Sequence, residues 1–128
     1  MLIGQHEEAE NHPVSGQWHV IGGHLEENES LVEAVKREVE EETGLEVKVH
    51  QIVDTYVEPD EGLVRVIFHC EADSIDAEAK DGLLDVDWVL PEELDDELGE
   101  HEHGILLERP EVANFIEKLK SVPTRTQP

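Results

Sequence analysis

Apolar and polar residues alternate along some stretches of this chain and recur at helical spacing along others. Residues 63–71 alternate most cleanly, with Val64, Val66, Phe68 and Cys70 on one face and Arg65 and His69 on the other. That period of two predicts a half-buried strand with the valine face toward the core. Leu84, Val86, Trp88 and Leu90 alternate with Asp85, Asp87 and Val89 in the same way. Residues 47–57 are rich in β-formers, and 2–6 and 18–21 are two shorter strand candidates; 7–16, polar and holding Pro13, reads as a loop. Helical spacing predicts a helix over about 31–43. Ser30 with Glu33 three residues later is a capping-box pair, and Gly44 stands where a helix commonly ends in a left-handed residue. A short helix is expected from Pro91 to about Leu98. A last one is expected from Pro110 to about Leu119, with Val112, Phe115, Ile116 and Leu119 as its apolar stripe. Two strands, a helix, several strands and two helices make an α/β or α+β sandwich, with helices packed against a sheet.

Length and charge bound this picture. The 128 residues suit one domain, expected over 1–122 with a flexible tail at 123–128. Asp and Glu number 33 against 9 Lys and Arg, a formal charge of -24. Such a surface is repelled by nucleic-acid backbones and anionic membranes, so neither is an expected partner. The acids are spread along the whole chain, which points to a halophilic protein working in molar salt, where the Debye length falls to about 3 Å. Cys70 is the one cysteine, so no intrachain disulfide forms, and on the apolar face of its strand it is expected to be inert. No apolar run approaches the roughly 20 residues of a membrane span, and the start lacks a signal peptide's basic and apolar stretches; the expected location is the cytoplasm.

The predicted helix at 31–43 carries the candidate chemistry. On a wheel of about 100° per residue, Leu31, Val35 and Val39 cluster on one side with Val32 beside them. Glu38, Glu41 and Glu42 overlap the edge of that side, whereas Glu33, Lys36 and Glu40 fall opposite. Three carboxylates at the border of a buried face repel one another, and a hard divalent cation, Mg²⁺ or Mn²⁺, removes the conflict. In so acidic a chain a bare Glu-x-x-Glu-Glu also arises from composition alone, so its register with the surrounding residues decides.

Gly23, Glu29, Arg37-Glu38, Val39, Glu41-Glu42, Gly44 and Leu45 stand at the spacing G-x5-E-x7-R-E-U-x-E-E-x-G-U. This resembles the signature of the Nudix hydrolases, which include the MutT-type pyrophosphohydrolases, with every fixed position matched. Residues 17–26 resemble that family's W-x-x-P-G-G-x-x-E approach, with Ile21 where the family has Pro. Asp87-Trp88-Val89 and Pro91-Glu92-Glu93-Leu94 resemble its late strand and following helix, so the likeness covers about 2–98.

The resemblance implies an α/β/α sandwich with a mixed β-sheet. It also implies Mg²⁺-dependent hydrolysis, with Mn²⁺ as an alternative ion, of a diphosphate linkage in a nucleoside diphosphate linked to another moiety. That substrate is a small nucleotide: a nucleoside triphosphate, ADP-ribose or a nucleotide sugar. Carried over by position, Glu38, Glu41 and Glu42 hold the metal with the carbonyl of Gly22, Glu41 innermost. Arg37 orients Glu38, Glu29 fixes the loop–helix junction, and Gly23 and Gly44 are structural; Glu41, Glu38 and Arg37 form the catalytic set. The family often adds an acid from a distant loop as general base or extra ligand, for which Glu58, Glu61, Glu100 and Glu102 are candidates.

His24, Tyr56 and Arg65 are candidate substrate contacts: Tyr56 could stack on a base, His24 is set against a simple loop role, and Arg65 against a solvated or ion-paired position. Trp18 and Trp88 are expected as core anchors. Family members usually carry another strand before the one resembling 2–6. The chain begins almost on that second strand, which leaves three readings: a misassigned start, a shortened chain, or an edge filled by another subunit in a homodimer. A Nudix-fold binding or regulatory domain without turnover is the alternative function, and an unrelated acidic metal-binding protein a third. The intact acid set speaks against the former, and the spacing of the whole box against the latter.

Overall fold

The computed structural model describes residues 1–7, 16–58, 62–99 and 106–121. Strand β1 (Leu2–His6) lies between β2 (Trp18–Val20) and β5 (Leu83–Trp88), antiparallel to both. Strands β3 (Val47–Glu58) and β4 (Leu63–Ala72) form a long antiparallel hairpin of their own. Helix α1 (Leu31–Thr43) joins the two systems. A 3₁₀ turn (Pro91–Glu93) leads into the short α2 (Leu94–Glu97), and α3 (Pro110–Ser121) closes the described chain. The expected α+β class is therefore the class observed; the ladders among the described residues are all antiparallel, without the parallel pairing a mixed sheet would add. Among the described residues no helix is long and apolar enough to cross a membrane.

The core sits between the three-stranded sheet, the segment around α2, and α3. Fully buried Ile3 packs with Val89, Leu94, Leu98, Leu106, Val112 and Ile116, and Trp18, Val53 and Ile67 lean against them. Ile67 and Val53 belong to the hairpin, and their arrival corrects the expected orientation of β4. Ile67 shares the face of Arg65 and His69, whereas Val64, from the face expected inside, is 70% exposed. The polar-looking face is covered because its polar groups are paired. Asp54 binds Arg109 at 2.6 Å, Arg109 lies 4.3 Å over the Tyr56 ring, and the His69 ring stands 5.0 Å from Phe115 of α3. Two register shifts in β3, at Val49/Gln51 and Ile52/Asp54, also break the simple alternation there. Trp18 is half-buried against the core, but Trp88 is 41% exposed, its indole N–H donating to the Ile75 carbonyl, so it is no core anchor.

Helix α1 is closed at both ends. The Ser30 hydroxyl accepts from the Glu33 N–H at 3.1 Å while the Glu33 carboxylate accepts from the Ser30 N–H at 2.8 Å. Gly44 takes φ 77°, a left-handed value that suits glycine, and donates to the Glu40 carbonyl. The segment before β5 satisfies two more C-terminal carbonyls: Glu78 N–H donates to Thr43 and Lys80 N–H to Glu42, both at 2.9 Å. Burial concentrates in the C-terminal half, at Val39, Glu42 and Thr43 beside Ala34. Leu31 and Val32, expected within or next to the apolar stripe, stand exposed.

Candidate active site

The acids of α1 divide into two environments. Glu42 is only 7% exposed. Burial pushes its carboxyl pKa up from 4.5 to about 7; the Gly22 N–H bonded to it opposes that rise, and the neighbouring carboxylates of Glu38, Asp81 and Glu41 add to it. Its Oε1 is buried with no hydrogen-bond partner. The sequence wheel placed Glu42 at the rim of the buried face, whereas the fold puts it inside.

Glu38 and Glu41 instead gather on Arg37. The guanidinium Nε donates to Glu29 at 2.7 Å and Nη2 donates to Glu29 at 3.1 Å and to the His24 carbonyl at 2.8 Å. Nη1 reaches Glu38 at 2.7 Å, Glu41 at 3.1 Å and Glu26 at 3.5 Å. Hydrogen bonding to Arg37 holds the Glu29 carboxyl below its ordinary range, and the same bond raises the Arg37 pKa further. Glu29 also accepts from the Glu26 N–H at 3.0 Å, so one carboxylate ties the loop over 24–29 to the helix. Gly23 lies against Glu38 so closely that an added Cβ would overlap the Glu38 carboxyl group. A side chain at position 23 would have to push the Glu38 carboxyl group aside, whereas at Gly44 it is the backbone angle that favours glycine.

The candidate substrate contacts lie elsewhere or face solvent. The His24 side chain is exposed, and its backbone carbonyl serves Arg37. Tyr56 is buried beneath Arg109, and its hydroxyl accepts from Arg65 at 3.2 Å. Arg65 also binds Glu58 at 3.2 Å, which neutralises the one distal-acid candidate that is described; Glu61, Glu100 and Glu102 lie outside the described residues, as does the tail at 123–128. Sequence reasoning missed Asp81 at the site and, away from it on the hairpin, Arg109. Asp81 couples electrostatically to Glu42 from the turn before β5, at a left-handed φ of 38°. Its signal was the Asp81-Gly82 turn dipeptide. Arg109 precedes α3 and had no sequence signal beyond the scarcity of basic residues.

Among the described residues, no three Asp, Glu, His or Cys side chains converge closely enough to hold a metal ion as they stand. The donor chemistry nevertheless fits a hard divalent cation: carboxylate oxygens, a glycine turn open to close approach, and the unpartnered Glu42 Oε1. Glu38 and Glu41 are gathered on Arg37, with Glu42 outside that cluster.

The family model for the NUDIX domain matches residues 1–109, and the chain belongs to that family. It is 31% identical over 86 residues to a MutT-like protein of Streptomyces ambofaciens, covering 67% of this chain and 56% of that protein. It is 34% identical over 92 residues to the nucleoside triphosphatase NudI of Salmonella schwarzengrund (strain CVM19633), covering 62% of this chain and 65% of that protein. The chain thus spans less than two thirds of the length of either relative. Among solved structures, a Nudix hydrolase from Nitrosomonas europaea superposes with a TM-score of 0.71 at 21% identity, over 91% of this chain and 62% of the other. The MutT protein from Methanosarcina mazei Go1 gives 0.64 at 23% identity, over 93% and 81%. At such identities these likenesses speak to the fold.

Proposed function

We propose that the chain hydrolyses a diphosphate linkage in a small nucleotide, with nucleoside triphosphates the favoured class and ADP-ribose and nucleotide sugars the competitors. The preference for triphosphates draws on the name of the NudI relative. The metal reading behind this rests on one observation, the buried Glu42 carboxyl with an unused oxygen, one turn from Glu38 and beside Glu41. A buried anionic oxygen without a partner is costly, and such atoms call for a functional explanation. Glu38, Glu41, Glu42 and the Gly22 carbonyl would hold a divalent ion, Mg²⁺ or Mn²⁺. When bound, the ion supplies charge neutralisation of the diphosphate and activation of water at neutral pH.

The chain's own residues set the stage for that chemistry. Glu41, the most exposed of the three acids, faces solvent. Glu38 is placed by Gly23 and Arg37, and Asp81, whose charge acts on Glu42, is a candidate for the further acid. Glu58 is a poorer choice for that task because Arg65 already neutralises it. The same reading gives a cytoplasmic, salt-adapted enzyme whose partner is a small nucleotide, the charge of -24 disfavouring nucleic acid and anionic membrane.

The test is incubation with a panel of nucleoside triphosphates, ADP-ribose and nucleotide sugars in Mg²⁺ and molar KCl, with products identified by mass spectrometry. A Glu41→Gln variant is expected to lose at least about a hundredfold in kcat, since it removes charge from the metal site. Near-wild-type turnover by that variant would refute the site. Metal binding without hydrolysis of any panel member would establish the binding-domain alternative.

A further inference from the structure

We infer that Arg37 stands in for the cation: its Nη1 arm holds Glu38 and Glu41 in the metal-free chain and hands them over when a divalent ion binds. This rests on the metal reading above. The two sides of the guanidinium are unequal. The Nε–Nη2 edge is committed to the half-buried Glu29 in a two-point fork and to the His24 carbonyl. Nη1 has two hydrogens and faces three carboxylates, Glu38 at 2.7 Å, Glu41 at 3.1 Å and Glu26 at 3.5 Å. Glu41 and Glu26 are the exposed members, 43% and 66%, so their contacts are the easiest to exchange, whereas Glu38 at the same end is covered and held at 2.7 Å.

Glu38 and Glu41 are one helical turn apart, with Glu42 adjacent, and would repel one another without a counter-ion. Arg37 supplies that counter-ion from within the chain. An ion seated at Glu42 carries twice the charge and competes for the same two carboxylates, while Arg37 stays docked on Glu29 and keeps the loop over 24–29 in place. The consequence has a sign that a purely structural arginine would not produce. Weakening the Nη1 contacts raises the metal-free state in energy and so tightens metal binding, whereas loss of a mere scaffold residue loosens it.

The experiment measures Mn²⁺ affinity by electron paramagnetic resonance at fixed KCl, with metal-free melting curves, for the intact chain, Arg37→Gln and Arg37→Lys. Arg37→Gln is expected to bind Mn²⁺ about tenfold more tightly, the strength of one charged pair, while melting lower without metal. Arg37→Lys keeps the charge but lacks the fork, and is expected to bind several-fold more tightly. Mn²⁺ binding unchanged or weakened in both variants would overturn the inference. So would a lysine variant that behaves as the unaltered chain while the glutamine variant tightens, since charge alone would then suffice.

Nitrogen-15 spectra of the unaltered chain supply a check that needs no variant. The Arg37 Nη1 protons are expected to be held without metal and released at Mg²⁺ saturation, with Nε held throughout; an unchanged Nη1 signal counts against the handover. If Mn²⁺ binds but is indifferent to Glu42→Gln, the metal reading fails and the inference with it. If binding needs Glu42 yet ignores Arg37, the inference alone falls.

Discussion

Replacing Glu42 by Gln should make the metal-free chain more stable at alkaline pH. The folded-state pKa of Glu42 is raised from 4.5 to about 7, chiefly by burial. A raised acid pKa means that the folded chain keeps its proton where the unfolded chain has lost it. The resulting penalty is absent below the unfolded value and grows through the interval, reaching its full size above the folded value. At full ionisation a shift of this size corresponds to about 3 kcal/mol, and with the residue only 7% exposed solvent screens little of it. Glutamine keeps the volume, offers an oxygen to the Gly22 N–H and carries no charge. Urea denaturation in EDTA at fixed KCl should therefore show the variant more stable by about 2–3 kcal/mol at pH 8, a gain near 10 °C in melting temperature. The gap should close as the pH falls toward 4.5. Added Mg²⁺ should reverse the order, because only the glutamate has a charge for the ion to neutralise. A variant no more stable than the parent at pH 8, or a gap that does not change with pH, would show that Glu42 carries no electrostatic strain.

Three further outcomes follow from the same geometry. Gly23→Ala should displace the Glu38 carboxylate and lower kcat by about a hundredfold, as misplacement of about 1 Å does elsewhere, with the circular dichroism melt little changed; kcat within a few-fold of the parent would contradict the tight fit at Gly23. Ser30→Ala removes the capping box and should cost about 1 kcal/mol in urea denaturation, with kcat retained once the chain is folded. The melting temperature should climb steadily from dilute buffer to molar KCl as the charge of -24 is screened, and full stability in dilute buffer would sink the salt-adapted reading.

The parts of this molecule that local chemistry encodes were legible in the sequence, and the parts that depend on what lies across a layer were not. Ser30, Glu33 and Gly44 act within one turn of their neighbours, so both ends of α1 follow from residue type alone. Gly23 and Glu38 meet because a tight turn feeds the same helix, and the motif spacing records that. Alternation in β4 revealed two faces, but α3 determined which one is covered, and it brought Arg109 to Asp54 from 55 residues away. Apolar content then misled, since the Arg65 face packs on the core through Ile67 with its charges paired. Asp81 was hidden for a related reason. It reaches Glu42 through the segment whose Glu78 and Lys80 amides cap the end of α1, a long-range docking that no periodicity announces.

The buried polar residues show why a cation from solution belongs at this site. Among the described residues three polar or charged side chains are buried: Glu42, Thr43 and Asp54. Thr43 donates to the Val39 carbonyl and accepts from the Leu45 N–H, so both of its capacities are used within the helix end. Asp54 has a guanidinium on its two oxygens. Glu42 alone keeps an empty oxygen, although all three described arginines are already bound to other carboxylates: Arg37 to Glu29, Glu38 and Glu41, Arg65 to Glu58, and Arg109 to Asp54. In a chain with 9 basic residues against 33 acids, every described arginine is committed, yet none is placed on the most buried acid of α1. A fold that seats arginine on buried Asp54 has the means to seat one on Glu42. Leaving that carboxylate open makes sense where its partner is an ion that must come and go with substrate.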